Sequence, residues 1–286
     1  MTPDAYCSKK VGESGSSFYY SFLFLPEQKR KAITALYAFC REVDDIVDEC
    51  NEPEICTRKL NWWRQDLCAI FESKRPQHPI STALAPHCEK FELPLELLLE
   101  IVDGMSMDLV KNRYANFDEL KSYCHKVASV VGILSSSIFG FSDKKTLKFA
   151  ADLGIAFQLT NIIRDVGEDA QRNRIYLPQE DLRKFGVSEK DILNGLYSDA
   201  FRQLMQHQSQ RARVYYRAAL SNLPDIDRNS QLPGLVMAAI YTRILDAVET
   251  NNYHVLQRKV SLTPITKLWI AWTTSRKERR LYKQAA

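Results

Sequence analysis

Apolar residues recur three and four positions apart through nearly the whole chain, the period of an α-helix with one buried face. From Pro26 to Glu49 the series Ile33, Leu36, Tyr37, Cys40, Val43 and Val47 sets a helix. Pro26 opens it, where a missing N–H costs nothing in the first turn. The spacing predicts further helices over Ile55–Ser73, Ile80–Phe91 and Leu95–Lys111, punctuated by Pro53, Pro76, Pro79 and Pro94. Two long helices follow, Asp118–Phe141 and Asp143–Asp169, the first expected to kink at Gly132 and the run Ser135-Ser136-Ser137. A polar loop at Gln171–Arg174 leads to short helices after Pro178 and Ser188. Long helices resume over Asp199–Leu220, Gly234–Asn251 and Pro264–Lys283. No segment keeps a strand's period of two for long, and no linker, repeat or low-complexity tract divides the chain. The pattern predicts one compact all-α domain over residues 1–286.

Composition narrows the function classes. Only 10 glycines occur in 286 residues, too few for a turn-dense β architecture. A net charge of +4 does not by itself argue for nucleic acid, and suits a polyanionic small substrate or an anionic membrane surface equally well. Seven cysteines (Cys7, Cys40, Cys50, Cys56, Cys68, Cys88 and Cys124) form no CxxC pair. They read as reduced thiols of a cytoplasmic protein rather than as a disulfide framework or a zinc site. The N-terminus lacks the apolar run of a signal peptide, and no stretch approaches the ~20 apolar residues that span a bilayer.

Two segments carry chemistry. In ALYAFCREVDDIVDE, Asp44 and Asp48 stand four apart on one helix face, with Arg41 and Tyr37 on the preceding turns and Val43, Ile46 and Val47 marking the buried remainder. Stacked carboxylates repel unless a cation lies between them. In QLTNIIRDVGED the residues Gln158, Asn161, Asp165 and Asp169 form a second oxygen-bearing stripe set among Ile155, Leu159, Ile162, Ile163 and Val166. One acidic helix face is usually a solvated face. Two such faces, each flanked by Ile and Val, could clamp a diphosphate through Mg²⁺, which takes few carboxylates together with substrate phosphates.

Together with SSFYYSFLFLP, YCHKVASVVG, RIYLP and AAIYTRIL, these segments resemble the squalene/phytoene synthase family over almost the whole chain. SGSSFYYSFLFLP and DGMSMDL are most similar to its presqualene diphosphate synthase branch, of the hopanoid pathway. The resemblance implies an all-α isoprenoid-synthase bundle around a central cavity. It implies Mg²⁺ on Asp44, Asp48, Asn161, Asp165 and Asp169, and diphosphate on Arg41 and Arg258. Ser17, Phe18, Phe22, Tyr37, Tyr123, Val127, Gln158 and Tyr241 would line the cavity, with Tyr176 in a segment covering its entrance. Some family members carry a His and a Lys where Ser14 and Ser16 stand here, so the N-terminal segment lacks that charge.

The expected reaction joins two farnesyl diphosphates. One loses diphosphate, the double bond of the other attacks the allylic cation, and proton loss closes a cyclopropane to give presqualene diphosphate. Mg²⁺ and Arg41 would neutralise the leaving group, and Phe18, Phe22, Tyr37 and Tyr123 would face the cation. Tyr241 or released diphosphate would take the proton. Arg164, Arg172 and Arg174 lie near the second motif, although a solvated loop is an equal reading for the last two. No GxGxxG fingerprint occurs and NADPH is not expected. Alternatives are squalene, dehydrosqualene or phytoene formation on the same fold, and, in another class, a non-catalytic lipid-binding or scaffold protein. No nucleic acid is expected; downstream squalene-forming enzymes are candidate partners. Finally, Trp269 and Trp272 precede Arg276, Lys277, Arg279, Arg280 and Lys283, a pattern that suits peripheral contact with the inner face of a membrane.

Overall fold

The computed structural model describes residues 1–13, 18–22, 25–49 and 52–285, with only the backbone for Tyr19, Tyr20 and residues 282–285. The described residues are helical almost throughout: α1 (Pro3–Glu13), α2 (Phe18–Phe22), α3 (Glu27–Glu49), α4 (Pro53–Phe71), α5 (Pro79–Lys90), α6 (Leu95–Val110) and α7 (Phe117–Cys124). A π-helical turn (His125–Ser129) joins α7 to α8 (Val130–Phe139). Then come α9 (Lys145–Gln171), α10 (Gln179–Phe185), α11 (Glu189–Leu193), α12 (Asp199–Asn222), α13 (Leu232–Thr250) and α14 (Pro264–Ala285). Among these residues the sole β pairing is an isolated bridge between Arg113 and Ile175. No described helix is long and apolar enough to cross a membrane.

Most boundaries fall within two or three residues of those expected. Helix α1 was not foreseen because its buried face consists of Cys7 and Val11 alone, too thin a stripe to register as periodicity. The expected kink at Gly132 is corrected as well: the irregular turn is His125–Ser129, one turn earlier. Gly132 instead permits close approach, since a Cβ there would sit 2.6 Å from the Ala150 carbonyl oxygen of α9. Gly154 of α9 meets the π-helical turn in the same way, 2.6 Å from the Ala128 carbonyl. The serines turn inward on their own helix or on the core: Ser135 donates to the Val131 carbonyl (2.7 Å) and Ser136 to Gln231 Oε1 (2.9 Å). The described cysteines are free thiols; Cys50 lies outside the described residues.

Apolar burial gathers into two clusters. One is built from α1, α3, α4, α5, α6 and α8 around Leu36, Phe39, Leu60 and Ile101. The other is built on α9, α12 and α13 around Phe149, Ala156, Phe201 and Val236. Phe18 of α2 and Val127 of the π-helical turn are half-buried and pack on both clusters. They mark a seam, and the cavity opens along it. The start of α9 is fixed by buried Asp227, which accepts from the Ser142 and Asp143 amides (2.6 and 3.0 Å) and from the Thr146 hydroxyl (2.6 Å).

Candidate active site

The cavity has a volume of about 680 Å³ and runs alongside α9. At one end it is walled by Asp44 and Asp48 of α3 and by Asp165 and Asp169 of α9; at the other by Phe139, Phe149 and Gln231. Phe149 and Asp165 lie on the same helix, so its rise of 1.5 Å per residue sets the depth at roughly 24 Å. The deep end is closed by Gln231, whose amide donates to the Gly140 carbonyl (2.9 Å) while it accepts from Ser136.

Helix α3 presents its acidic face because Val43, Ile46 and Val47 are drawn into the core. Arg41 reaches down that face, with Nη1 2.8 Å from Asp44 and Nη2 2.7 Å from Asp45. Lys10 of α1 holds Asp45 and Glu42 from the other side, at 2.8 and 2.7 Å. Asp45 therefore faces α1 and positions Arg41, while Asp44 and Asp48 face the cavity. Asp48 is met by Arg172 (3.0 Å) and Arg174 (2.7 Å) from the loop after α9; Arg174 is drawn into the site, while Arg172 reaches its rim from an exposed position. Desolvation, and then the negative charge of Asp48, pushes the Asp44 carboxyl up to about 7 despite Arg41.

On α9 the whole predicted stripe, Gln158, Asn161, Asp165 and Asp169, lines the cavity. Arg164 grips Asp165 with two bonds of 2.7 and 2.5 Å. Lys259 reaches Asp165 and Glu168 at 3.3 and 2.6 Å. Desolvation and the neighbouring Asp165 push Asp169 up to about 8, against the pull of Arg174. The Asn161 side-chain oxygen is buried without a hydrogen-bond partner among the described residues. An orphaned oxygen and two carboxyls held above their ordinary range mark a local shortage of positive charge, which a hard divalent cation would relieve. Among the described residues no three His, Cys, Asp or Glu side chains converge into a metal cage. Ions here would rest on a few carboxylates and on phosphate oxygens brought by the substrate.

The apolar wall is aromatic. Phe18 stacks on Tyr37 (5.2 Å between centroids) and approaches Phe22 and Phe157 at 6.2 and 6.4 Å. Phe157 lies 4.7 Å from Tyr241, a buried phenol beside the Arg164 and Asn161 side chains. Tyr123, Val127 and Tyr176 also line the cavity. The Ile175 amide donates to the Asn112 carbonyl at 3.0 Å, which ties the segment bearing Tyr176 to the end of α6. Ser17 lies outside the described residues. Arg258 is exposed and does not line the cavity; its neighbour Lys259 takes that place.

Besides Lys259, two residues escaped the sequence reading. Asp108 of α6 lines the cavity and accepts from the Tyr123 and Tyr176 hydroxyls at 2.7 and 2.9 Å, under a stack of those two rings (5.3 Å). Desolvation, opposed by the Tyr123 hydrogen bond and Arg174, pushes it up to about 6. Its signal was available: a carboxylate one turn from buried Met105 and Gly104, the same criterion that exposed the other two motifs. Phe157 was legible too, four residues before Asn161 on the same face of α9.

The chain is similar to the 15-cis-phytoene synthase of Synechocystis sp., at 37% identity over 93% of this chain and 83% of that protein. It is 36% identical to the chloroplastic phytoene synthase of Narcissus pseudonarcissus over 94% of its own length, and spans 65% of that longer protein. Its fold is similar to that of a dehydrosqualene synthase solved with a ligand, with a TM-score of 0.89, 28% identity and 97% of each chain covered. Residues 11–266 match the family model described as squalene/phytoene synthase. With two acidic helices facing one deep, aromatic-walled cavity in an all-α isoprenoid-synthase fold, the chain belongs to the squalene/phytoene synthase family.

Proposed function

We propose that the protein is a Mg²⁺-dependent prenyltransferase that joins two C20 allylic diphosphates head-to-head into a C40 polyene of the phytoene type, within a single domain. The similarity to phytoene synthases carries this reading, and the depth of the cavity admits it. A trans-isoprenoid advances roughly 5 Å per five-carbon unit, given carbon–carbon bonds near 1.5 Å. A C20 chain thus needs about 20 Å between the carboxylates and the floor, and the path from Asp165 to Phe149 is roughly 24 Å. A path of this length also takes a C15 chain, so the choice of the C20 donor rests on that similarity. The presqualene diphosphate branch suggested by SGSSFYYSFLFLP and DGMSMDL becomes the second reading, with C15 donors and squalene-forming partners. Its C15 donors are favoured by the likeness to a dehydrosqualene synthase.

Asp44 and Asp48 on one side, and Asn161, Asp165 and Asp169 on the other, would hold Mg²⁺. When bound, the ions supply positive charge to the diphosphate as it leaves. Arg41, Arg164, Arg172, Arg174 and Lys259, now paired to those carboxylates, are poised to hand hydrogen bonds to phosphate oxygens. Phe18, Phe22, Tyr37, Phe157 and Tyr241 surround the allylic cation with π faces and exclude water. Burial raises the pKa of Tyr241, so its phenol stays protonated and the departing diphosphate is the better proton acceptor. Attack by the second chain and loss of one proton close a cyclopropane. A second ionisation, rearrangement and loss of a second proton give the polyene. No hydride is consumed, so NADPH has no place in the step.

Measuring kcat/KM with farnesyl and geranylgeranyl diphosphates separates the readings. The C20 donor should be preferred by at least ~10-fold, the discrimination several buried methylenes provide. A preference for the C15 donor with accumulation of a C30 diphosphate would favour the presqualene reading.

A further inference from the structure

Helix α14 carries large apolar side chains on its solvent face. Ile265, Leu268, Trp269 and Trp272 are 79%, 45%, 64% and 52% exposed. Their spacing of three, one and three puts them on one side of the helix. Arg276 and Arg280 continue the same stripe, and Lys277 stands exposed at its edge. The Arg276 guanidinium lies over the Trp272 ring at 5.3 Å, joining the apolar and basic parts. The one acidic residue of α14, Glu278, turns inward and is held by Arg228 at 3.0 and 2.9 Å. The outer face is thus apolar and aromatic in its first turns, and the exposed charges that follow among the described side chains are all basic, with Leu281 exposed beyond them.

The inner face belongs to the cavity side. Ile270, Ala271 and Ser275 are buried, Lys267 lines the cavity, and so does the segment Lys259–Leu262 leading into the helix. Between cavity and solvent the wall is here a single helix, about 10 Å across.

We propose that α14 docks the protein on an anionic lipid bilayer, with Ile265, Leu268, Trp269 and Trp272 at headgroup level and Arg276, Lys277 and Arg280 on lipid phosphates. Indole rings favour the interface, where one edge is apolar and the other wet. Cations beside them complement a negative surface and not a neutral one. A nucleic acid would match the arginines but leave the aliphatic turn in water. The docking stands on this face alone. Where the proposed reaction also holds, docking sets the cavity one helix from the bilayer that would receive an apolar product.

The test is flotation of the full chain with phosphatidylcholine vesicles, with and without phosphatidylglycerol. Binding should require the anionic lipid and weaken as salt rises. Replacing Arg276, Lys277 and Arg280 by Gln should cost about 10²-fold in partition, at roughly fivefold per cation. Trp269→Ser with Trp272→Ser should cost at least as much. Removing three exposed cations elsewhere, as in Lys59→Gln, Lys144→Gln and Lys145→Gln, should leave binding within about twofold. Thermal unfolding and turnover in detergent report whether each variant is folded, and turnover that fails while flotation persists strikes only the enzymatic reading. Three results would overturn the proposal: no binding to anionic vesicles, binding indifferent to both α14 variants, or an equal loss in the control. A dimer in sedimentation equilibrium that the tryptophan variant dissolves, without lipid binding, would assign the face to a second copy instead.

Discussion

Arg174 Nη1 lies 2.7 Å from Asp48 Oδ1, and its Nη2 donates to the Val47 carbonyl at 3.1 Å. Residues far apart in sequence thereby tie the loop after α9 to the end of α3, drawing the two acidic motifs together across the cavity mouth. The two bonds come from two nitrogens of one rigid planar fork, a geometry that a single ammonium does not reproduce. Arg174→Lys should therefore recover little of what Arg174→Ala loses. We expect a fall of ~10²-fold in kcat/KM for the alanine variant, the scale of one charge-stabilising contact. Steady-state kinetics with saturating Mg²⁺ checks it, and near-wild-type rates for the lysine variant would show that charge alone suffices.

Asp44→Ala, Asp48→Ala, Asp165→Ala and Asp169→Ala should each lose at least ~10²-fold in rate while remaining folded. Asp45 makes a sharper comparison. It does not line the cavity, yet it holds Arg41 in place against Lys10. Asp45→Asn should cost about 10-fold, the lower range for a residue that orients a ligand rather than touching it. A drop as large as that of Asp44→Ala would place Asp45 among the groups that touch metal or substrate.

The raised carboxyls predict a pH dependence of stability in the metal-free protein. Asp44 and Asp169 titrate near 7 and 8 in the folded chain and from 3.8 ordinarily. The folded state then holds protons that the unfolded state has released, so stability falls as pH rises through 7 and 8. Melting in EDTA should occur at a lower temperature at about pH 8.5 than at about pH 6, with the difference reduced in Asp44→Asn/Asp169→Asn. Mg²⁺ with inorganic diphosphate should raise the melting temperature most at the higher pH, because the ions bind the deprotonated carboxylates. A melting temperature that rises with pH in EDTA would contradict the assignment.

Asp108 joins Tyr123 and Tyr176 beneath the carboxylates. Asp108→Asn keeps the shape but replaces an acceptor-only group with one that also donates, leaving one phenol without a proper partner. We expect kcat to fall about 10-fold or more with modest change in stability. Kinetics beside thermal melting would separate this from collapse of the tyrosine stack, which would lower both.

The long helices were legible because each buries a wide stripe: α3 and α9 declare themselves through Ile, Val and Leu at helical spacing. Their carboxylate faces were legible for the same reason, as charge embedded in apolar sequence. Helix α1 was hidden because two buried side chains make no period, and the π-helical turn because one extra residue in a turn leaves no mark on composition. Cation partners were the hardest to read. Whether Arg258 or Lys259 turns inward depends on the path of the loop between α13 and α14, and Arg174 meets Asp48 only through tertiary packing. Spacing along a sequence carries no information about such pairs.

The central claim is a metal-dependent head-to-head condensation of two C20 chains, and product analysis with geranylgeranyl diphosphate and Mg²⁺ alone tests it most directly. The account predicts a C40 polyene with two diphosphates released per product, unchanged by NADPH and abolished by EDTA. Undiminished turnover in EDTA, or inertness toward the C20 donor beside steady conversion of farnesyl diphosphate, would contradict it.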